Sequence, residues 1–261
     1  MIYNSEIEFK RGKILTTEIL EEVYQFPRIY FDILYEGYPD GIIEGFNLFN
    51  ENNDIYLSKG IVKFKGNIYF SGDKLKISND NFCEGAPPIY LYLEEGPTFE
   101  RNGVKMNPLI VSFYNQKNDL GIYLGHFKYR EGILIKTGYA ELKDLYDPLF
   151  INIVDRKISV KKGYSLDKEI LKILSKALMK KTVLTMEEKI LISLIESESV
   201  SIDYLKFFLS SFNLESETNL SILKSLEKII LEIAELTQNS NGNKVEVSKS
   251  SQPRKSIRDV Q

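Results

Sequence analysis

Glycine and proline are divided unevenly along this chain, and that division constrains its folding more than any other feature. The 261 residues include 16 Gly and 8 Pro, and 15 of the glycines and 7 of the prolines precede Tyr164. Breakers at short intervals punctuate strands and tight turns, whereas long periodic stretches without them form helices. The sequence therefore predicts an α+β multidomain protein. A short N-terminal helical clasp covers residues 1–40, and an all-β barrel or sandwich covers 41–163. A small helical bundle covers 164–239, and an extended, flexible tail covers 240–261. The boundary between the β and helical regions falls between Lys161 and Tyr164.

Within the clasp, Thr16 or Thr17 caps a short helix from Glu18 to Tyr24 that Pro27 ends. A second short helix or extended piece runs from Arg28 to Glu36 and stops at Gly37. Pro39-Asp40-Gly41 is a strong turn that opens the β region. A hairpin over 61–65 and 68–70 follows, with Gly66 and Asn67 taking the positive φ angles of a two-residue loop. Further strands are expected at 54–57, 74–78, 89–94, 108–114, 121–129, 132–137 and 150–154. Pro39, Asp40, Gly41, Gly45, Gly60, Gly66 and Asn67 are the candidate structural turn residues.

In the helical region, Ser165 or Asp167 starts a helix whose stripe is Ile170, Leu171, Ile173, Leu174, Ala177 and Leu178. Thr185 and Glu188 form a capping box for a second helix, running to about Glu198. Ser201 or Asp203 starts a third, burying Ile202, Leu205, Leu209 and Phe212. A fourth runs from Thr218 to Leu236 with an apolar seam of Leu223, Leu226, Ile230 and Ile233. That seam faces either the other helices or a partner chain. The tail carries five basic and two acidic residues, and its Asn243–Lys249 segment alternates polar and apolar side chains around Lys244, Val245 and Val247. The seam and this segment are the candidate interface residues.

Composition narrows the chemistry. The net charge of −3 gives no field favouring a phosphate backbone, so nucleic-acid binding is not expected. One Cys and one His cannot supply a Cys/His metal site, and Cys83 alone cannot form an intrachain disulfide. The N-terminus lacks an apolar signal core and no apolar run reaches a membrane span, so synthesis in the cytoplasm without a membrane partner is expected. Gly66 to Lys74 superficially resembles a phosphate loop, but five residues separate its glycines and Asp73 precedes the lysine. His126 reads as a half-buried strand histidine, and Cys83 as an inert thiol. Glu94 or Glu95 with Asp119 is an arithmetically available carboxylate pair, as some pair always is among 37 acidic residues. The third predicted helix carries one Lys and one Asp, a poor composition for a helix that reads DNA. No catalytic, cofactor-binding or metal-binding residue is predicted.

Several stretches taken together resemble a known family. They are Phe9-Lys-Arg-Gly12, Tyr24-x-Phe-Pro27-Arg28, Tyr35-x-x-Tyr38-x-Asp40-Gly41-Ile-Ile-x-Gly45 and Leu57-Ser-Lys-Gly60-Ile-Val-Lys63. Leu124-Gly-His-Phe-Lys-Tyr-Arg-Glu-Gly132 continues the match. The chain looks like proteins of clostridial prophages and R-type tailocins, the contractile tail-like bacteriocins, encoded among baseplate and tail-fibre genes. Members sometimes carry a helicase label, which the missing phosphate loop argues against. The resemblance implies a non-enzymatic structural component of a contractile phage tail or tailocin baseplate near the tail-fibre attachment region. Its partners would be other baseplate and tail-fibre proteins, in multiple copies of a six-fold assembly within the particle. The alternative is a baseplate-associated peptidoglycan hydrolase.

Overall fold

The computed structural model describes residues 14, 16–52, 54–77, 87–101, 103–129, 135–181, 183–197, 200–214 and 216–229. Its first element is the helix α1, Thr17–Leu34, capped by the Thr16 hydroxyl, which accepts from the Ile19 amide at 3.4 Å. The helix continues through Pro27, so the two pieces expected from the sequence are one. Proline forfeits one intrahelical bond and ordinarily costs about 3 kcal/mol in a helix interior, which is why the sequence suggested a stop there. The C-terminal end of α1 is fixed: Lys63 Nζ donates to the carbonyls of Tyr35 at 2.9 Å and Glu36 at 3.4 Å. A cation there satisfies carbonyls the helix leaves open and suits the negative end of its dipole.

The β region contains β1 (Gly41–Gly45), β2 (Leu48–Glu51), β3 (Asp54–Leu57), β4 (Gly60–Phe64), β5 (Asn67–Ser71) and β6 (Leu75–Ile77). It continues with β7 (Ile89–Glu95), β8 (Phe99–Arg101), β9 (Val104–Met106), β10 (Leu109–Tyr114), β11 (Ile122–Phe127), β12 (Ile158–Val160) and β13 (Gly163–Ser165). Instead of closing into a barrel, these strands form open sheets ordered β13-β12-β1-β4-β5, β10-β7-β11, β2-β3-β6 and β8-β9. The pairing of β1 with β12 is parallel and the other pairings are antiparallel.

Two details depart from expectation. The loop of the β4–β5 hairpin is Lys65-Gly66, both at positive φ (49° and 77°), because Phe64 and Asn67 are already paired strand residues. Lys65 tolerates that conformation because the Asp40 carboxylate accepts from the amides of Lys65 at 2.7 Å and Gly66 at 3.1 Å. Second, residues 150–154 contribute only single bridges, His126 with Asn152 and Lys136 with Phe150. Of the expected strand at 132–137, residues 132–134 lie outside the described residues. The β8–β9 and β12–β13 hairpins were not foreseen. The second surrounds the expected boundary at 161–164 and completes one side of the five-stranded sheet.

The helices α2 (Lys168–Met179), α3 (Met186–Glu196) and α4 (Ile202–Ser210) start where their caps were read, at Asp167, Thr185 and Ser201. The Thr185–Glu188 capping box is present in both directions. Residues 219–229 form a last helical stretch, in which Leu223 and Leu226 are buried. Their half of the seam therefore packs within the chain, while Ile230 and Ile233 lie outside the described residues. One contiguous apolar core runs from Ile42 in β1 through Leu91 and Leu124 to Leu174, Leu205 and Ile229. Strands and helices thus share a core.

Candidate assembly surface

The helix α1 has no buried residue, although large apolar side chains occupy half of it. Successive residues turn by about 100°, which gathers these side chains into one broad apolar face and leaves Glu18, Glu21, Gln25, Arg28 and Asp32 on the opposite side. Leu20, Val23, Tyr24, Pro27 and Phe31 face the β5 strand across an open groove of about 820 Å³. Phe26, Ile29, Tyr30 and Ile33 continue the apolar face outside that groove, with Phe26 and Ile33 each 69% exposed. The apolar face of an amphipathic helix is normally packed against other protein. Contiguous apolar exposure of this kind marks an interaction surface more often than chance.

The turn residues foreseen in the sequence position this surface. Asp40 fixes the β4–β5 loop, and Ser159 Oγ donates to the Pro39 carbonyl at 2.6 Å, tying that turn to β12. Gly41 begins β1 and Asn67 begins β5. Gly45 and Gly60 are directly paired between β1 and β4. A Cβ on Gly45 would lie 2.1 Å from the Lys59 carbonyl oxygen, and one on Gly60 2.6 Å from the Glu44 carbonyl oxygen. The two backbones approach so closely that only glycine fits at either position.

A second concavity, of about 330 Å³, is polar and includes Tyr92, Lys117, Asp119, Tyr123, Asp155 and Arg156 in its lining. Lys117 pairs with Asp155 at 2.9 Å, and Asn118 donates its amide to Tyr92 Oη at 3.0 Å. Beside it, His126 Nδ1 lies 2.5 Å from Tyr123 Oη, and its ring stacks on Tyr90 with centroids 4.8 Å apart. The bulge between Tyr123 and Gly125 removes His126 from the simple strand alternation read from the sequence. Burial lowers the His126 pKa, aided by Lys117 and opposed by Asp155, so the imidazole is neutral at pH 7. Burial likewise raises Tyr123, which remains a protonated phenol. Arg156 is buried, and its Nη1 meets Asp167 Oδ2 at 2.6 Å while Nη2 donates to the Phe46 carbonyl at 2.6 Å. These bonds make the cavity wall a brace between strands and helices.

The carboxylates considered as a glycosidase pair have other partners: Glu94 accepts from Tyr114 Oη at 2.8 Å, and Glu95 pairs with Lys65. Lys74 pairs with Glu51 in a strand setting without the helix a phosphate loop requires. Among the described residues, no cluster of three or more His, Cys, Asp or Glu could hold a metal. No described helix is long and apolar enough to cross a membrane. Cys83, Lys244, Val245 and Val247 lie outside the described residues. Sequence reasoning missed the outward face of α1 and the Arg156–Asp167 pair. The face was readable, because apolar residues recur at three- and four-residue spacing from Ile19 to Leu34 once the helix is taken as continuous. The pair joins positions 11 residues apart in no motif.

No protein-family model and no curated protein matches the chain. Among solved structures, a chain of the type VI secretion system TssK–TssF–TssG baseplate subcomplex is similar over 88% of this chain and 100% of its own. The identity is 9% and the TM-score 0.37. A crystal structure of TssK is similar over 87% of this chain and 68% of its own, at 10% identity and a TM-score of 0.34. At these scores the likenesses carry no functional argument.

Proposed function

We propose that this chain is a non-enzymatic structural component of the baseplate of a contractile phage tail or tailocin, placed near the tail-fibre attachment region. The observation that carries the reading is α1: an 18-residue helix without one buried residue, held at its C-terminal end by Lys63 and bearing a broad apolar face. Such a helix gains its burial from a neighbouring protein. The motifs that resemble prophage and tailocin proteins supply the kind of assembly. Tyr24, Pro27 and Arg28 of that resemblance are α1 residues lining the groove. Asp40, Gly45 and Gly60 are the turn and close-approach residues that hold its other wall. Other baseplate and tail-fibre proteins are the partners, in multiple copies within the particle.

The double variant Phe26→Glu/Ile33→Glu tests this directly. Both side chains are exposed, so the free protein should keep its melting behaviour while incorporation into particles falls at least about ten-fold. Undiminished incorporation would refute the interface role. Clearing of purified peptidoglycan by the wild-type protein would replace it with the hydrolase reading.

A further inference from the structure

The corner that joins α2 to α3 is a second place where large apolar side chains stand in the open. Met179 ends α2, Val183 lies in the connection, and Met186 and Ile190 share one side of α3 four residues apart. Val183 is 79% exposed and Met186 68%. Lys176, Lys180 and Lys189 are exposed around them, and among the described residues of 176–190 Glu187 is the one exposed acid. Lys181 and Glu188 neutralise each other in an ion pair. The outward part of the α1 face has the opposite charge. Glu22 lies within it, four residues before Phe26, and Glu18 stands at its border, four residues before Glu22. Arg28, the one cation of α1, is on another side of the helix. Among the described residues, Glu18, Glu22, Lys176, Lys180 and Lys189 take part in no ion pair.

Resting on the reading of α1 as an assembly surface, we propose that the outward face of α1 docks on the α2–α3 corner of a second copy of this chain. Apolar side chains form the middle of the contact, Phe26, Ile29 and Ile33 against Val183, Met186 and Ile190, and charge of opposite sign surrounds them. Glu18 and Glu22 meet Lys176 and Lys180 at the rim, which fixes the orientation and disfavours α1 docking on another α1, where carboxylate would meet carboxylate. The helix α1 lies beside β5 at one end of the five-stranded sheet, and α2 follows from β13 at the other end. The contact therefore joins two chains. Because each copy offers two different faces, the arrangement is head-to-tail and propagates from copy to copy, closing into a ring where the rotation allows.

Sedimentation velocity on the full-length protein tests it. Wild type should self-associate at micromolar concentration, and more weakly as salt is raised. Glu18→Lys/Glu22→Lys should weaken that association at least about ten-fold, and Lys176→Glu/Lys180→Glu should do the same. All four reversals in one chain should restore it, a recovery that neither a damaged helix nor a contact elsewhere would give. Wild-type protein that stays monomeric at micromolar concentration would overturn the proposal, as would a four-fold reversal that associates no better than either pair. If the protein is monomeric while Phe26→Glu/Ile33→Glu still lowers incorporation into particles, a different protein covers α1: the second-copy contact fails and the baseplate role stands.

Discussion

Arg156 and Asp167 form an ion pair of 2.6 Å in which each side chain is only 2% exposed, joining the segment before β12 to the first turn of α2. Asp167 Oδ1 also caps α2 by accepting from the Glu169 amide at 2.9 Å. One carboxylate thus neutralises a buried guanidinium and starts a helix. Asp167→Asn keeps a capping oxygen but leaves Arg156 uncompensated, and should cost about 3 kcal/mol or more by chemical denaturation. Adding Arg156→Met should recover part of that loss, because the remaining charge is gone. If Asp167→Asn alone were neutral, the pair would not be the brace described.

The Gly45–Gly60 approach gives a graded series. Gly45 has a φ of 70° and no room for a Cβ, and Gly60 is blocked by the backbone of Glu44 and Phe46. Alanine at either should lose more than about 2 kcal/mol. Gly66→Ala meets open space and should cost only about 1 kcal/mol for its positive φ, while Gly72→Ala should stay within about 0.5 kcal/mol. Thermal melts of the four variants should preserve this order.

Stability should also depend on pH through the single histidine. The folded-state pKa of His126 is lowered by burial, so below the ordinary histidine value the unfolded chain binds the extra proton more readily than the folded one. This contribution is complete above about pH 7 and is lost as the pH falls through and below the ordinary histidine value. A His126→Gln variant, which cannot take up that proton, should show a smaller loss of melting temperature over this window. An identical decline in the variant would assign the effect to carboxylates instead.

The fold was legible where local chemistry decides it. The caps at Thr16, Asp167, Thr185 and Ser201 each place a short polar side chain within reach of the next turn's amides, and the structure uses all four. The Lys65-Gly66 loop was misplaced by one residue because register depends on Asp40, 25 residues away, holding both amides. Pro27 was read as a stop because its penalty is local, whereas helix continuation draws on the turns on both sides. The parallel pairing of Ile42 with Ile158 and the ion pair behind it are long-range choices that no periodicity records. For the candidate surface, the apolar residues of α1 were visible in the sequence, but their lack of burial emerges only from the packing of everything else.

Electron cryo-microscopy of contractile tail-like particles purified from the source bacterium tests the central claim most directly. This chain should be found at the baseplate in a fixed number of copies, with Phe26 and Ile33 of α1 covered by a neighbouring subunit. Particles complete without it, or containing it with α1 facing solvent, would contradict the assembly role.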